Sequence, residues 1–139
     1  MITGSATPKR IILLRLGNGE DVLASLEEAV KREKIGNALL VSGFGSVSAY
    51  HFHVVGDSNL PPANAFIKGE RALDVVNVSG AIIDGRVHAH IDFTDDKVGL
   101  GGHVEPGCRV LTFMIITIQE VDGVSIAEWD QWASKIAAN

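Results

Sequence analysis

Residues 84–108 read DGRVHAHIDFTDDKVGLGGHVEPGC, and this stretch decides the fold. From Arg86 onward the residues alternate. Val87, Ala89, Ile91 and Phe93 share one face of an extended chain, while His88, His90 and Asp92 share the other. Alternation of this kind marks a half-buried β-strand. Asp84-Gly85 just before it is a hairpin signal, because the tightest hairpin turns need positive φ at both central residues. TDDKVG (94–99) turns the chain again. LGGHVEPG (100–107) returns, with His103 and Glu105 two apart and so on one face.

Working outward, Cys108 to Gln119 is a nearly continuous apolar run rich in β-branched residues, the pattern of a buried central strand. Towards the N-terminus, RIILLRL (10–16) reads as a strand. GNGED (17–21) then turns into a helix, with Asn18 as N-cap and Glu20 and Asp21 in the first turn. Val22, Leu23, Leu26, Ala29 and Val30 form its apolar stripe, and Gly36 stops it. Residues 37–56 read as a strand, a Gly-Ser-rich bend and a second strand; SGFGSVS (42–48) is expected to be a tight turn between them. DSNLPPANAF (57–66) is a loop, and residues 71–84 hold one or two further strands. Residues 1–9 are expected to be a flexible terminus, followed by a single domain over 10–139. That domain includes a C-terminal helix over about 125–138, predicted from the Ser125-x-x-Glu128 capping box and the Trp129, Trp132, Ile136 stripe.

With 139 residues, 46% hydrophobic and 21% charged, the composition is that of one ordinary globular domain. A net charge of −5 argues against nucleic acid as a default partner, since phosphate binding needs clustered Lys and Arg. Cys108 is the sole cysteine, which fits a reducing compartment and reads as a small buried hydrophobe. The start, MITGSATPKR, has no apolar core of a signal peptide, and VLTFMIITI is too short to span a bilayer. A cytoplasmic protein with no membrane partner is the expectation.

The histidines carry the chemistry. His88 and His90, two apart on a strand, point the same way and can converge on one ion. His103 from the returning strand would complete a three-histidine set, the ligand count of catalytic zinc sites that keep a fourth position open. Imidazole also suits Cu, Ni and Fe, so the cofactor is Zn2+ or another divalent transition metal. Gly99, Gly101 and Gly102 allow a bulge or close backbone approach that aims His103. Glu105 is a candidate fourth ligand, partner to an imidazole N–H, or general base. Asp92 reads as a solvated acid. His51 and His53, the remaining pair, lack a third partner in their own hairpin and read as a solvated or interface face. The competing reading of all five is a polar strand face.

The ordered set Arg15-Leu16-x-x-Gly19-Glu20-Asp21, VSGFGSVS (41–48), LDVVNVSG (73–80), HAH (88–90) and GGHVEPGC (101–108) resembles the PPC domain, the plant and prokaryote conserved domain. The likeness runs from about residue 9 to 120. It implies an α/β fold of the α+β type: a mixed, largely antiparallel sheet with a helix packed on it, assembled as a homotrimer. It also implies likeness to acetolactate decarboxylase and its three zinc-binding histidines, which would fall here on His88, His90 and His103. Plant members carry an AT-hook and prokaryotic ones are often labelled DNA-binding. No Arg-Gly-Arg-Pro core of an AT-hook is present here, and Glu105 stands where the family motif is often apolar.

Three functions compete on this footing. The first is a metal protein binding or acting on an unknown small ligand, as a metal-dependent lyase or hydrolase if it is an enzyme. The second is a DNA-binding regulator. The third is a trimeric interaction module without chemistry.

Overall fold

A computed structural model describes residues 1–131 of the chain. Among these residues six strands and one helix follow in order: β1 (Thr7–Gly17), α1 (Val22–Glu33), β2 (Ala38–Val55), β3 (Asn64–Ile83), β4 (Arg86–Thr94), β5 (Gly99–Val104) and β6 (Arg109–Asp122). The sheet order is β1-β6-β2-β3-β4-β5, and β2 also pairs with β5. Every pairing among the described residues is antiparallel.

The second pairing of β2 shapes the molecule. Its first half, from Ala38 to Ala49, lies beside β6, while Phe52 and His53 lie beside Val104 and His103 of β5. β2, β3, β4 and β5 therefore close into a ring, and β6 and β1 extend the sheet from one end of β2. Residues 37–56 were expected to bend between two strands. They form one long strand instead, because SGFGSVS is absorbed as bulges, with the register slipping between Leu40 and Ser42 and again after Gly45. Bulges bend and twist a strand without ending it. That is how β2 reaches two different neighbours.

The alternation of β4 holds. Ala89, Ile91 and Phe93 are buried, and the histidine face looks outward. Asp84 and Gly85 both have positive φ, as the two-residue hairpin requires, and Ile83 pairs with Arg86 across the turn. β6 is central, lying between β1 and β2, and buries Val110, Met114, Ile116 and Ile118. α1 covers that face with Val22, Leu26, Ala29 and Val30. Burying side chains such as Val22, Leu26 and Val30 is worth about 1.5–3 kcal/mol each.

The ends of α1 differ from expectation. The N-cap is Asp21, not Asn18, and its Oδ1 accepts a hydrogen bond from the Ala24 amide at 3.1 Å. Asn18 instead donates to the Leu111 carbonyl. With the cap at 21, no acidic residue stands in the first turn. The helix ends at Lys34, whose φ of 56° closes the last turn before Gly36 is reached. β1 begins at Thr7, ahead of the strand expected from residue 10, while residues 1–6 are exposed and without regular structure.

The expected C-terminal helix does not start at Ser125. Residues 127–130 form a turn, and Glu128 sits at φ 66°, in the left-handed region that a right-handed helix cannot contain. The predicted continuation over 132–138, with Trp132 and Ile136, lies outside the described residues. No helix among the described residues is long and apolar enough to cross a membrane.

Candidate metal centre

Four histidines meet on the outer face of the β2–β5 ring. His103 of β5 lies directly opposite His53 of β2 on one side and His90 of β4 on the other. Its ring stacks on His53 at a centroid distance of 4.5 Å. It stands edge-on to His88 at 4.9 Å and to His90 at 5.4 Å. His88 and His90 stack on each other at 5.6 Å. The three histidines singled out from the sequence are thus brought together.

His53 is the addition. The sequence pattern puts it on a solvated or interface face, because its hairpin offers no third ligand, yet ring closure brings β5 to it. The glycines before His103 make that approach feasible. A Cβ at Gly102 would overlap the His53 carbonyl oxygen and stand 2.8 Å from the Phe52 ring, so only glycine lets β5 sit this close to β2.

Ring hydrogen bonds orient the cluster. His53 Nδ1 lies 2.6 Å from Glu105 Oε1, and His103 Nδ1 lies 3.1 Å from the Val104 carbonyl oxygen. His88 Nδ1 lies 3.4 Å from Asp130 Oδ2. Carbonyl and carboxylate oxygens only accept, so a neutral ring making such a bond carries its proton on Nδ1 and keeps the Nε2 lone pair free. His51, one strand repeat away, bonds the Pro106 carbonyl at 2.8 Å and flanks an open cleft of about 520 Å³ with Lys68 and Glu70. It is not among the stacked rings of the cluster.

Glu105 answers one of the three roles considered for it. Its Oε1 is 2.6 Å from His53 Nδ1 and 3.9 Å from His103 Nδ1. Two tetrahedral zinc ligands stand roughly 3.4 Å apart when each bond is about 2.0–2.1 Å. The shorter contact is therefore a hydrogen bond that orients His53. Even so, His53, His103 and Glu105 form a group whose ligand atoms all lie within 4.8 Å of one another. Asp92 is exposed and accepts a hydrogen bond from Asn77 at 3.2 Å, in keeping with a solvated acid.

Electrostatics favour the neutral form of His90 and His103. Burial pushes the His103 pKa down, and the neighbouring His53, His88 and His90 push it further. Burial, then His88 and His53, do the same to His90. Neutral imidazole is the form that binds metal. Behind the cluster, the Cys108 thiol is buried and its pKa is pushed up to about 11, so it is no nucleophile. Asp21 ties the helix to the turn after Glu105, its Oδ2 accepting from the Gly107 amide at 2.7 Å.

Comparison with known proteins places the fold. The family model of the Plants and Prokaryotes Conserved (PCC) domain matches residues 3–122. Two curated relatives, both named Bifunctional protein GlmU and both from Synechococcus strains, are 26% identical over 112 residues. That is 80% of this chain, but the chain spans only 17% of the length of those relatives. A metal-containing protein from Archaeoglobus fulgidus has the same fold, with a TM-score of 0.78 at 19% identity over 90% of this chain and 89% of the other. A protein from Ralstonia eutropha JMP134, named "Putative DNA-binding protein", aligns with a TM-score of 0.64 at 25% identity, covering 80% of this chain and 77% of the other.

Proposed function

The chain belongs to the Plants and Prokaryotes Conserved domain family, and from that premise we propose that its histidine cluster is an open transition-metal site serving an unidentified small ligand. The observation that carries this reading is the ring hydrogen bonding. His53, His88 and His103 each set Nδ1 against an oxygen, an arrangement that in the neutral ring puts the proton on Nδ1, leaves Nε2 as the only lone pair and fixes the ring plane. An unassigned polar face has no reason to tie three rings the same way.

We assign His88, His90 and His103 as the ligands, with His53 stacked on His103 as a neighbouring imidazole. Zinc suits the all-imidazole donor set, and other divalent transition metals compete for it. Bound there, the metal supplies a Lewis acid that polarises an oxygen of the ligand. Glu105 orients His53 and is the carboxylate placed to accept or return a proton at Oε1. Lyase and hydrolase chemistry both fit that pairing.

We assign a homotrimer as the working assembly. Its support is an apolar surface on the sheet face opposite α1. Ile11 and Leu13 of β1, Leu39 and Phe44 of β2, and Phe113 of β6 are all exposed there. The register sets them in neighbouring rows, and Phe44 meets Phe113 edge to face. A contiguous apolar patch of this kind marks an interface. The lone buried thiol suits a reducing compartment, so we place the protein in the cytoplasm.

Elemental analysis of untagged protein, alongside His88→Ala and His103→Ala, tests the metal reading. Near-stoichiometric zinc or another transition metal, lost in both variants, supports it; no metal even after soaking sinks it. A second reading, direct DNA binding, draws on the name of the Ralstonia protein. The net charge of −5 weighs against it, and a salt-dependent gel shift decides it.

A further inference from the structure

Residues 124–131 lie beyond the family match, which ends at residue 122, yet they reach back to the histidine face. They carry Asp130, a carboxylate in a surface turn whose side chain is only 8% exposed. Arg86 grips it with two prongs, Nη1 to Oδ2 at 3.0 Å and Nη2 to Oδ1 at 3.1 Å. Gln131 donates to Oδ1 at 3.3 Å. His88 Nδ1 also lies 3.4 Å from Oδ2. The segment is seated independently at its other side. A Cβ built on Gly4 would stand 2.8 Å from Val124 and 3.2 Å from the Trp129 ring, so both side chains rest against the N-terminal segment there.

We propose that Asp130 is a positioning residue for the metal centre: it takes the Nδ1–H of His88, so that His88 offers Nε2 to the ion, and Arg86 holds Asp130 in place. This rests on the metal reading above. A histidine whose other nitrogen is unclaimed divides between two tautomers, and only one of them presents Nε2. An outer carboxylate removes that choice and raises the basicity of the ring. Arg86 matters because an aspartate this enclosed needs a fixed counter-charge, and a two-pronged guanidinium also sets its direction. The His88 contact is longer than a strong charge-assisted bond, so charge and direction carry the effect more than a tight bond does.

Two measurements on the full chain test it. In the metal-free protein at a pH where histidine is neutral, imidazole nitrogen NMR reads the tautomer of each ring. His88 is expected as the Nδ1–H form. Asp130→Ala should release it towards the Nε2–H form, and Asp130→Asn, which keeps an acceptor oxygen, should hold it in part. Zinc titration against a competing chelator should then show Asp130→Ala roughly 10- to 100-fold weaker than wild type, with Asp130→Asn and Arg86→Lys between. Fluorescence in a Trp132→Phe background, where Trp129 is the sole tryptophan, reports whether the segment stays seated in each variant.

An Nε2–H His88 in the wild type overturns the proposal. So does an Asp130→Ala protein with wild-type tautomer and affinity while His103→Ala has lost its metal. If the wild type takes up no metal, the reading of the site falls, and the tautomer data alone decide whether Asp130 positions the ring.

Discussion

Gly80 on β3 connects stability to the site, and replacing it with alanine should damage both. Gly80 pairs with Ala89 of β4, between the two histidines of the H-x-H pair. Its φ is 139°, which L side chains rarely adopt, and residues held in such regions cost about 1–3 kcal/mol. Space is also lacking. A Cβ there would overlap the His88 carbonyl oxygen, with Ala89 Cα only 3.0 Å away. Both obstacles are backbone, so no rotamer change relieves them. β3 and β4 would have to part by roughly 1 Å to restore ordinary contact distances. That weakens one or two ladder hydrogen bonds at about 0.5–1.5 kcal/mol each. Together the loss is about 3 kcal/mol, a large share of the about 5–15 kcal/mol typical of a domain. With a urea slope of about 2 kcal/mol per molar, the unfolding midpoint should fall by roughly 1.5 M. Metal affinity should fall too, because the strand that moves carries His88 and His90. Gly99→Ala is the control: nothing lies within 4 Å of its Cβ, and its φ is unremarkable. It should stay within about 0.5 kcal/mol of wild type. A Gly80→Ala midpoint no lower than that of Gly99→Ala would refute the close approach of β3 and β4 at this point.

Four other outcomes are expected. In the metal-free protein, the lowered pKa values of His90 and His103 mean that the unfolded chain binds more protons just below pH ~6.5. Their contribution is complete above that pH and is lost as pH falls to the lowered values, so urea midpoints should drop between pH 7.5 and 5.5, and less steeply in a His90→Ala/His103→Ala double variant. Bound metal should be released as pH falls below about 6, because ligating imidazoles must be neutral; retention well below that, with chelator present, counts against a histidine site. Cys108, with its pKa near 11, should resist thiol reagents at pH 8 until the protein is unfolded by urea. Phe44→Asp, placing a charge in the apolar face beside Phe113, tests the proposed trimer: light scattering should read trimer for the wild type and monomer for the variant, without loss of the helix and sheet signal.

Local pattern carried much of the fold. The β4 alternation, the Asp84-Gly85 hairpin and the apolar run of β6 are legible because each depends on neighbours one to four residues away. The same locality explains the errors. Asn18 has the form of an N-cap and Gly36 that of a stop, but Asp21, accepting from the Ala24 amide, starts the helix and Lys34, at φ 56°, ends it. SGFGSVS has the composition of a turn, but pairing along both edges of β2 keeps it extended. Ser125-x-x-Glu128 has the form of a capping box, and the left-handed Glu128 breaks it.

The sequence by itself determined that His88 and His90 share one strand face, that His103 returns near them, and that the family is the one its motifs resemble. These follow from the two-residue period of a strand and one short hairpin. Tertiary structure alone decided what surrounds them. His53 meets Glu105 across 52 residues of chain, and His88 meets Asp130 across 42. Alternation dictates which face a side chain occupies, but not which strand lies beside it. That second choice was made when bulged β2 parted from β6 and closed the ring on β5, setting a fourth imidazole and a carboxylate beside the predicted three.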